Sequence, residues 1–320
     1  MSEIKKLIER LCPDGVEYKK LGEVCVMQRG TSMTKKNAIE GDIPVISGGR
    51  EPAFYINQSN REGETITVAG SGAGAGYVQY WNEPIFVNDA FSVKGSEELL
   101  TKYVYYCMKN MQEQITGTQK GGGVPHVHIS SIDNFEIPVP PIEVQSKIVE
   151  ILDNFTELEA ELEAELEARR KQYEYYRNQL LTFDKVGGAR FDVKWMKLGD
   201  VCYISDYVSN GSFASIRNNV NYKTEPDFAV LIRFADYTSR FDESKFVYID
   251  EHAYNFLSKS KLTGGEIIMS NVGSCGLFFR CPNLGTPMSL APNSIVIKSD
   301  YLDYLFHWFG SHKAQEEIKK

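Results

Sequence analysis

The stretch IEVQSKIVEILDNFTELEAELEAELEARRKQYEYYRNQLLT, residues 142–182, decides the fold. Its apolar and aromatic residues recur in alternating steps of three and four, with one extra step of four that ends at Leu166. This is the repeat of about 3.5 residues that forms a coiled-coil seam, and the extra step is a stutter that shifts its phase without ending it. The sequence therefore predicts one long helix whose interface for a partner helix or subunit consists of Ile148, Ile151, Phe155, Leu158, Leu162, Leu166, Tyr173, Tyr176 and Leu180.

Residues that favour helix boundaries flank this stretch. Pro140 and Pro141 suit the first turn of a helix, where the backbone donors lack partners within the helix anyway. Gly187 and Gly188 mark the exit, because glycine tolerates the left-handed conformation of a helix stop. A stiff helix between two globular units indicates a ruler that separates two binding sites. A generic dimerisation coiled coil is the alternative.

The sequences on either side of the helix resemble each other. The motif KLG(E/D)VC occurs in both, and in both an apolar strand runs into a glycine-rich turn before a second strand leads to an aromatic-rich helix. The matching segments are 17–30 with 192–207, 63–78 with 265–279, and 91–108 with 294–310. The long period indicates a duplicated domain rather than a solenoid.

Each half is predicted to mix α and β structure, because short strands alternate with turns rich in Gly, Asn, Asp and Pro. The predicted strands are Glu64–Val68, Ile85–Val87, Ala90–Lys94, Ala229–Phe234, Glu266–Ser270 and Ser294–Lys298. The predicted class is α/β (α+β), with duplicated domains at 1–141 and 186–320 joined by a long coiled-coil helix at 142–185.

Length and composition set further limits. With 320 residues, of which 42% are hydrophobic, the chain can bury two cores. It has no apolar run of about 18 residues and no signal-peptide pattern at its start, so we expect no membrane contact. Its six cysteines form no CxxC pair and indicate reduced thiols, hence a cytoplasmic protein.

The net charge of −8 is concentrated on the predicted helix, where residues 142–185 carry 6 Lys/Arg and 11 Asp/Glu. Residues 186–320 carry 15 of each. A solvated glutamate-rich helix face explains this acidity. The net charge therefore neither supports nor excludes a nucleic-acid partner.

Three features together resemble the DNA specificity (S) subunits of Type I restriction-modification systems, and the resemblance covers essentially the whole chain. They are the repeated KLG(E/D)VC, the strand followed by a GxGxG turn, and GGGVPHVHISSIDNFEIPVPPIEVQSKIVEILD at 121–153. One departure is Val144-Gln145, where the family usually has Glu-Gln. A larger departure is that the second half has no counterpart of 117–182, so a second long helix is missing. We expect either a truncated chain or a helix that pairs with another chain.

The resemblance implies a non-catalytic subunit. Each globular half would be a target recognition domain for one half of a split double-stranded DNA sequence, and the long helices would set the gap and dock the partner subunits. A helix of about 40 residues spans roughly 60 Å, against roughly 35 Å for one turn of B-DNA. Methyltransferase subunits would bind S-adenosylmethionine, and restriction subunits would use ATP and Mg; this chain would bind no cofactor.

Sequence readout needs donors and acceptors on loops, with Lys and Arg near phosphates. In the first half the candidates are Arg29, Thr31, Lys35, Lys36, Ser47, Arg50, Lys120, His126 and His128. In the second half they are Tyr207, Asn210, Arg217, Asn218, Asn219, Arg233, Tyr237, Arg240 and Asn271. For any single residue, an ordinary solvated loop position is the alternative.

Other motifs favour structural roles. The glycine-rich GSGAGAG at 70–76 lacks the GK(S/T) of a phosphate-binding loop, so it predicts a tight turn between strands. His126 and His128 share one face of an extended segment, yet no further ligands lie nearby in sequence, so we expect no metal. Two functional alternatives stay open: a truncated assembly scaffold without DNA readout, and the recognition module of a fused restriction-methylation enzyme.

Overall fold

The computed structural model describes residues 2–183, 194–273 and 275–319. The chain divides into two compact units, Met1–Glu163 and Ala164–Lys320. This division falls within the long helix, so the domain limits predicted from the sequence remain a prediction. Gly187 and Gly188, the predicted exit of the helix, lie outside the described residues.

The first unit contains a four-stranded antiparallel sheet of order β2-β8-β5-β6, a three-stranded sheet of order β4-β3-β7, and the pair β1-β9. Its strands are β1 Tyr18–Lys20, β2 Cys25–Arg29, β3 Ile43–Ile46, β4 Tyr55–Ile56, β5 Thr65–Ala69, β6 Val78–Trp81, β7 Phe86–Val87, β8 Ala90–Gly95 and β9 Glu136–Pro138. Its helices are α1 Ser2–Leu11, α2 Leu21–Val24, α3 Thr101–Asn110, α4 Gln112–Gly117 and α5 Ile129–Ile132. The long helix α6, Ile142–Thr182, follows.

The second unit repeats this plan, with sheets of order β10-β17-β14-β15 and β12-β11-β16-β13. Its strands are β10 Tyr203–Asp206, β11 Ala229–Ile232, β12 Val247–Ile249, β13 Lys261–Leu262, β14 Ile267–Ser270, β15 Phe278–Arg280, β16 Met288–Leu290 and β17 Ser294–Lys298. Its helices are α7 Leu198–Val201, α8 Phe213–Asn219, α9 Phe234–Thr238, α10 Glu251–Phe256, α11 Leu302–Phe309 and α12 His312–Ile318.

Matching hydrogen bonds show that the units are duplicates in detail. The backbone N–H of Gly70 donates to the carbonyl of Asp89 at 3.0 Å, and that of Asn271 donates to Asn293 at 3.3 Å. The side chain of Gln112 donates to the carbonyl of Gly76 at 2.8 Å. In the second unit Gln315 donates to Gly276 at 3.2 Å. The mixed α/β class, the duplication and the long helix predicted from the sequence are thus confirmed.

The predicted strands are confirmed to within two residues at each end. The turn at 70–76 joins the antiparallel strands β5 and β6, as its glycines predicted. Gly72 and Gly76 have φ angles of +80° and +83° there, which side chains rarely tolerate. The extended segment predicted around the two histidines is not a ladder strand: His126 makes isolated bridges, and His128 precedes α5.

The first part of α6 is fixed to the core of the first unit. Gln145 is fully buried, while Ile148 and Val149 pack partly buried against the cluster that contains Ile66, Val68 and Val93. Asp153 pairs with Lys102 at 2.8 Å and accepts a hydrogen bond from Tyr106 at 2.6 Å. The sheet and the start of the helix are therefore one packed body.

The last part of α6 packs within the second unit. The hydroxyl of Tyr173 lies 2.8 Å from Nδ1 of His307 in α11. The backbone N–H of His312, at the start of α12, donates to the side chain of Asn178 at 3.2 Å. The helix therefore contributes to the packing of the second unit as well as of the first.

Candidate nucleic-acid interface

Three of the predicted loop clusters in the first unit meet at the end of β2. A β-carbon at Gly48 would lie 2.1 Å from the carbonyl oxygen of Ser71, so loop 47–50 packs directly on turn 70–76. The backbone N–H of Val127 donates to the carbonyl of Gly70 at 3.0 Å, which brings the segment with the two histidines to the same turn. The structure thus assembles one surface from loops that are far apart in sequence.

A depression of about 560 Å³ lies on this surface. Arg29, Asp89, His126 and His128 line it with exposed side chains. The two imidazole rings are nearly parallel, with centroids 6.1 Å apart. The Asp89 carboxylate accepts a hydrogen bond from the hydroxyl of Ser71. A guanidinium donor beside carboxylate and imidazole groups matches the hydrogen-bonding edges of bases.

The other candidates of the first unit surround this depression or lie outside its lining. Ser47 accepts a hydrogen bond at 2.9 Å from Asn88, which itself lines the depression. Arg50 stacks its guanidinium on Tyr77, 5.0 Å from the ring centroid. Exposed side chains that do not line the depression are Thr31, Lys35, Lys36 and Lys120.

The second unit has a depression of about 440 Å³ at the equivalent place, at the end of β10 and beside the turn that precedes β17. Of the predicted residues, Tyr207, Arg217 and Asn271 line it. Its other exposed lining side chains include Phe213, Tyr222 and Val272, which are apolar or aromatic. The two units therefore present candidate sites at the same point of the same sheet, with different chemistry.

Four residues of the second unit that were predicted to contact DNA form hydrogen bonds or ion pairs with other residues of the chain. Tyr207 is only 4% exposed and shares a hydrogen bond of 2.9 Å with Tyr222, so little of its surface is open to a base; burial also raises its pKa. The amide of Asn210 bonds the carbonyl of Tyr207 and the backbone N–H of Lys259.

The other two of these residues, Arg233 and Asn219, also bond to neighbouring residues of the chain. Arg233 forms an ion pair with the fully buried Asp236 and donates to the carbonyl of Lys245 at 2.6 Å. Asn219 bonds His252 at 2.9 Å and the carbonyl of Ser215 at 2.8 Å. Asn210, Arg233 and Asn219 therefore have partners within the protein, and their roles as DNA contacts stay predictions.

Three further candidates are exposed but do not line the depression: Asn218, Tyr237 and Arg240. The ring of Tyr237 stacks on Phe279 at a centroid distance of 4.7 Å. Conversely, sequence reasoning missed Asn88, Asp89, Phe213 and Tyr222. The pair Asn88-Asp89 directly before β8 could have been found, because a short polar turn before a buried strand signals a loop at the sheet end.

The predicted seam of α6 is exposed over most of its length. Phe155 and Leu162 are 65% and 58% exposed, and Leu180 is 64% exposed. Leu158, Leu166, Tyr173 and Tyr176 are about half exposed, whereas Ile148 and Ile151 are partly buried. An apolar stripe of this length on a solvated helix indicates a partner surface.

A second apolar surface occurs in the second unit. A groove of about 980 Å³ is lined by Trp195, Met196, Tyr301 and Tyr304, all at least 47% exposed. In the first unit the equivalent place is filled, because Tyr18–Lys20 pairs there with Glu136–Pro138.

Within the described residues, no group of His, Cys, Asp and Glu could hold a metal ion, and no helix is long and apolar enough to span a bilayer. The six cysteines are free thiols. Burial raises the pKa of Cys25 and of Cys281 to about 12, so neither thiol has the low pKa of a nucleophile.

Fold and surface together define a duplicated, two-unit protein with a long helix whose apolar stripe is exposed. Residues 13–168 match the family model of the Type I restriction modification DNA specificity domain. A protein of Haemophilus influenzae described as a type I restriction enzyme specificity subunit is 28% identical over 307 residues, covering 81% of this chain and 78% of its own length.

The specificity subunit of an Escherichia coli type I restriction enzyme is 32% identical over 221 residues, which cover 63% of this chain and 52% of that protein. The crystal structure of the S subunit of a Type-I restriction-modification system from M. genitalium has the same fold, with a TM-score of 0.55, 18% identity and coverage of 95% and 80% of the two chains. Residues 13–168 therefore match a Type I DNA specificity domain, and the chain is similar to type I specificity subunits over most of its length, in agreement with the resemblance of its motifs.

Proposed function

We propose that this chain is the sequence-specific DNA-binding subunit of a Type I restriction-modification enzyme. Each unit reads one half of a bipartite duplex target at the depression beside its four-stranded sheet. The observation that carries the proposal is the position of the two depressions: both lie at the end of the equivalent strand, and each collects predicted readout residues. Different lining chemistry on a shared scaffold is what two different half-sites require.

The long helix supports the second part of the proposal, in which the chain docks other subunits. The exposed seam of α6 offers a continuous apolar stripe, and Tyr173 and Tyr176 add aromatic surface of the kind enriched in interfaces. We propose that methyltransferase and restriction subunits dock along this helix, or that the seam pairs with a second copy of the chain. S-adenosylmethionine, ATP and Mg belong to those subunits in this proposal, and this chain acts in the cytoplasm without catalysis.

Binding to duplexes with scrambled half-sites tests the proposal. The target is first selected from a random-sequence duplex library by the full chain together with its methyltransferase subunit. Scrambling either half-site alone is expected to weaken binding by at least a hundredfold at physiological salt, since each mismatched base pair costs about 1–3 kcal/mol. Equal binding of scrambled and selected duplexes would mean an assembly scaffold without readout. Methylation by the isolated chain would instead indicate a piece of a fused enzyme.

A further inference from the structure

The two depressions differ in a way that bears on which bases they read. In the first unit the exposed lining carries charged and imidazole groups at Arg29, Asp89, His126 and His128. In the second unit the exposed lining is dominated by Phe213, which is 80% exposed, with Val272 at 58% and Tyr222 at 55%. Large exposed apolar side chains gathered in one depression are typical of a binding surface, because their contact with water is unfavourable.

Helix α8 presents one of these apolar groups together with a cation. Phe213 and Arg217 are four residues apart, so they lie on the same face of the helix. The buried side chain of Ile216 anchors the helix, and Ser212 caps its start by accepting a hydrogen bond from the N–H of Ser215 at 3.2 Å. Among the described residues Arg217 has no ion pair, so its guanidinium is available for a ligand.

Phe213, Tyr222 and Val272 form an apolar patch, and a polar group also lies on the side opposite Arg217. Asn271 begins the turn after β14, and Val272 follows it with an exposed side chain. The occupant must therefore present an apolar group flanked by hydrogen-bonding groups. In the major groove the 5-methyl of thymine lies beside the carbonyl oxygen of its own base and the acceptors of neighbouring purines.

Resting on the proposed function, we infer that the second unit reads a thymine in its half-site, with the 5-methyl group seated against Phe213 and Val272. Arg217 donates to an acceptor of an adjacent purine. The first unit lacks an exposed apolar group at the equivalent place and reads its half-site by hydrogen bonds. A protein partner is the competing occupant of this patch. The patch lies at the end of β10, and the first unit gathers its polar readout groups at the end of the equivalent strand, β2. This position argues for DNA.

Replacing thymine with deoxyuridine tests this inference, because the exchange removes only the methyl group. Selected duplexes are rebuilt with deoxyuridine at one thymine at a time, and the affinity of the full chain with its methyltransferase subunit is measured. One position in the half-site of the second unit is expected to weaken binding about fourfold, the effect of burying about one methyl group. Deoxyuridine in the other half-site is expected to leave binding unchanged.

The variant Phe213→Ala identifies the side chain responsible. It is expected to weaken binding to the thymine duplex and to remove the difference between thymine and deoxyuridine. Tyr301→Ala, which removes another exposed aromatic ring elsewhere in the second unit, is expected to preserve that difference.

Three results would overturn the inference while leaving the proposed function intact. The first is a half-site of the second unit that contains no thymine. The second is discrimination between half-sites that does not change when deoxyuridine replaces thymine. The third is a Phe213→Ala variant that no longer binds its methyltransferase subunit but keeps its preference for thymine. Failure of the proposed function is separate, because scrambled half-sites would then bind as well as selected ones.

Discussion

The side-chain oxygen of Gln145 lies 2.9 Å from the backbone nitrogen of Leu100 and accepts its hydrogen bond. The amide nitrogen of Gln145 donates to the carbonyls of Glu98 and Pro140, each at 2.8 Å. The side chain is fully buried, so these bonds fix the start of α6 to the loop that precedes α3. One amide group therefore makes three of the contacts that hold the start of α6 on the first unit.

Removing that amide should destabilise the first unit. Gln145→Ala leaves the buried N–H of Leu100 and two carbonyls without partners, and we expect a loss of about 2–4 kcal/mol. Hydrogen exchange is the measurement, because the amide of Leu100 should exchange much faster in the variant. Gln179→Ala, at an exposed position of the same helix, should change stability by less than about 0.5 kcal/mol. Unchanged protection of the Leu100 amide would show that other contacts hold the helix start.

The second unit should lose stability in acid through Glu266. Burial alone would raise its pKa, but hydrogen bonds from the backbone and hydroxyl of Thr263, with Lys298 nearby, lower the pKa below its usual value. A lowered pKa stabilises the fold above the ordinary glutamate pKa of about 4.3, and the contribution disappears as pH falls through the folded value. Glu266→Gln should therefore cost about 1–3 kcal/mol at neutral pH and progressively less below about pH 4.

Urea unfolding at several pH values measures this effect. Glu225→Gln, at an exposed position, is the matched control and should differ little from the original chain at any pH. A Glu266→Gln penalty that stays constant down to pH 3 would contradict the assigned charge state.

The seam of α6 should drive association. Exposed apolar stripes on long helices gain stability when buried, so the purified chain should show a mass that rises with concentration in sedimentation equilibrium. Replacing Leu158 and Leu162 with Gln keeps the helix propensity but removes the stripe, and this variant should stay monomeric. Replacing Glu159 and Glu163 with Gln leaves the stripe intact and should not prevent association. A mass independent of concentration in the original chain would argue against self-pairing.

The regular elements could be predicted because their signals are local. The heptad spacing gave α6, and the alternation of apolar runs with glycine turns gave strands such as β5 and β17. The three-stranded sheet of the first unit was predicted only in part: β7 was found as Ile85–Val87, but β3 and the two-residue β4 were missed, and the pairing of β3 with β7 depends on contacts distant in sequence. The burial of Leu21 by the residues before α6 is another long-range effect.

The candidate site was predicted only in outline, since loop composition does not reveal where a side chain points. Tyr207 and Arg217 come from similar polar stretches of sequence, yet Tyr207 is buried and bonded to Tyr222, whereas Arg217 in α8 is exposed. The sequence does not reveal that Arg233 forms an ion pair with the buried Asp236, so Arg233 could not be distinguished from a phosphate contact. Phe213 was overlooked because an aromatic residue in a polar segment is usually assigned to a core.

The most direct test of the central claim is binding by Arg29→Ala and Arg217→Ala, each measured against duplexes in which one half-site or the other is scrambled. Each arginine lines the depression of one unit, so each variant should lose about tenfold to a hundredfold in affinity and discriminate less at one half-site only. The two variants should lose opposite half-sites. If both variants weaken binding equally and keep full discrimination at both half-sites, the arginines contact the DNA backbone alone and the account of two separate reading sites is contradicted.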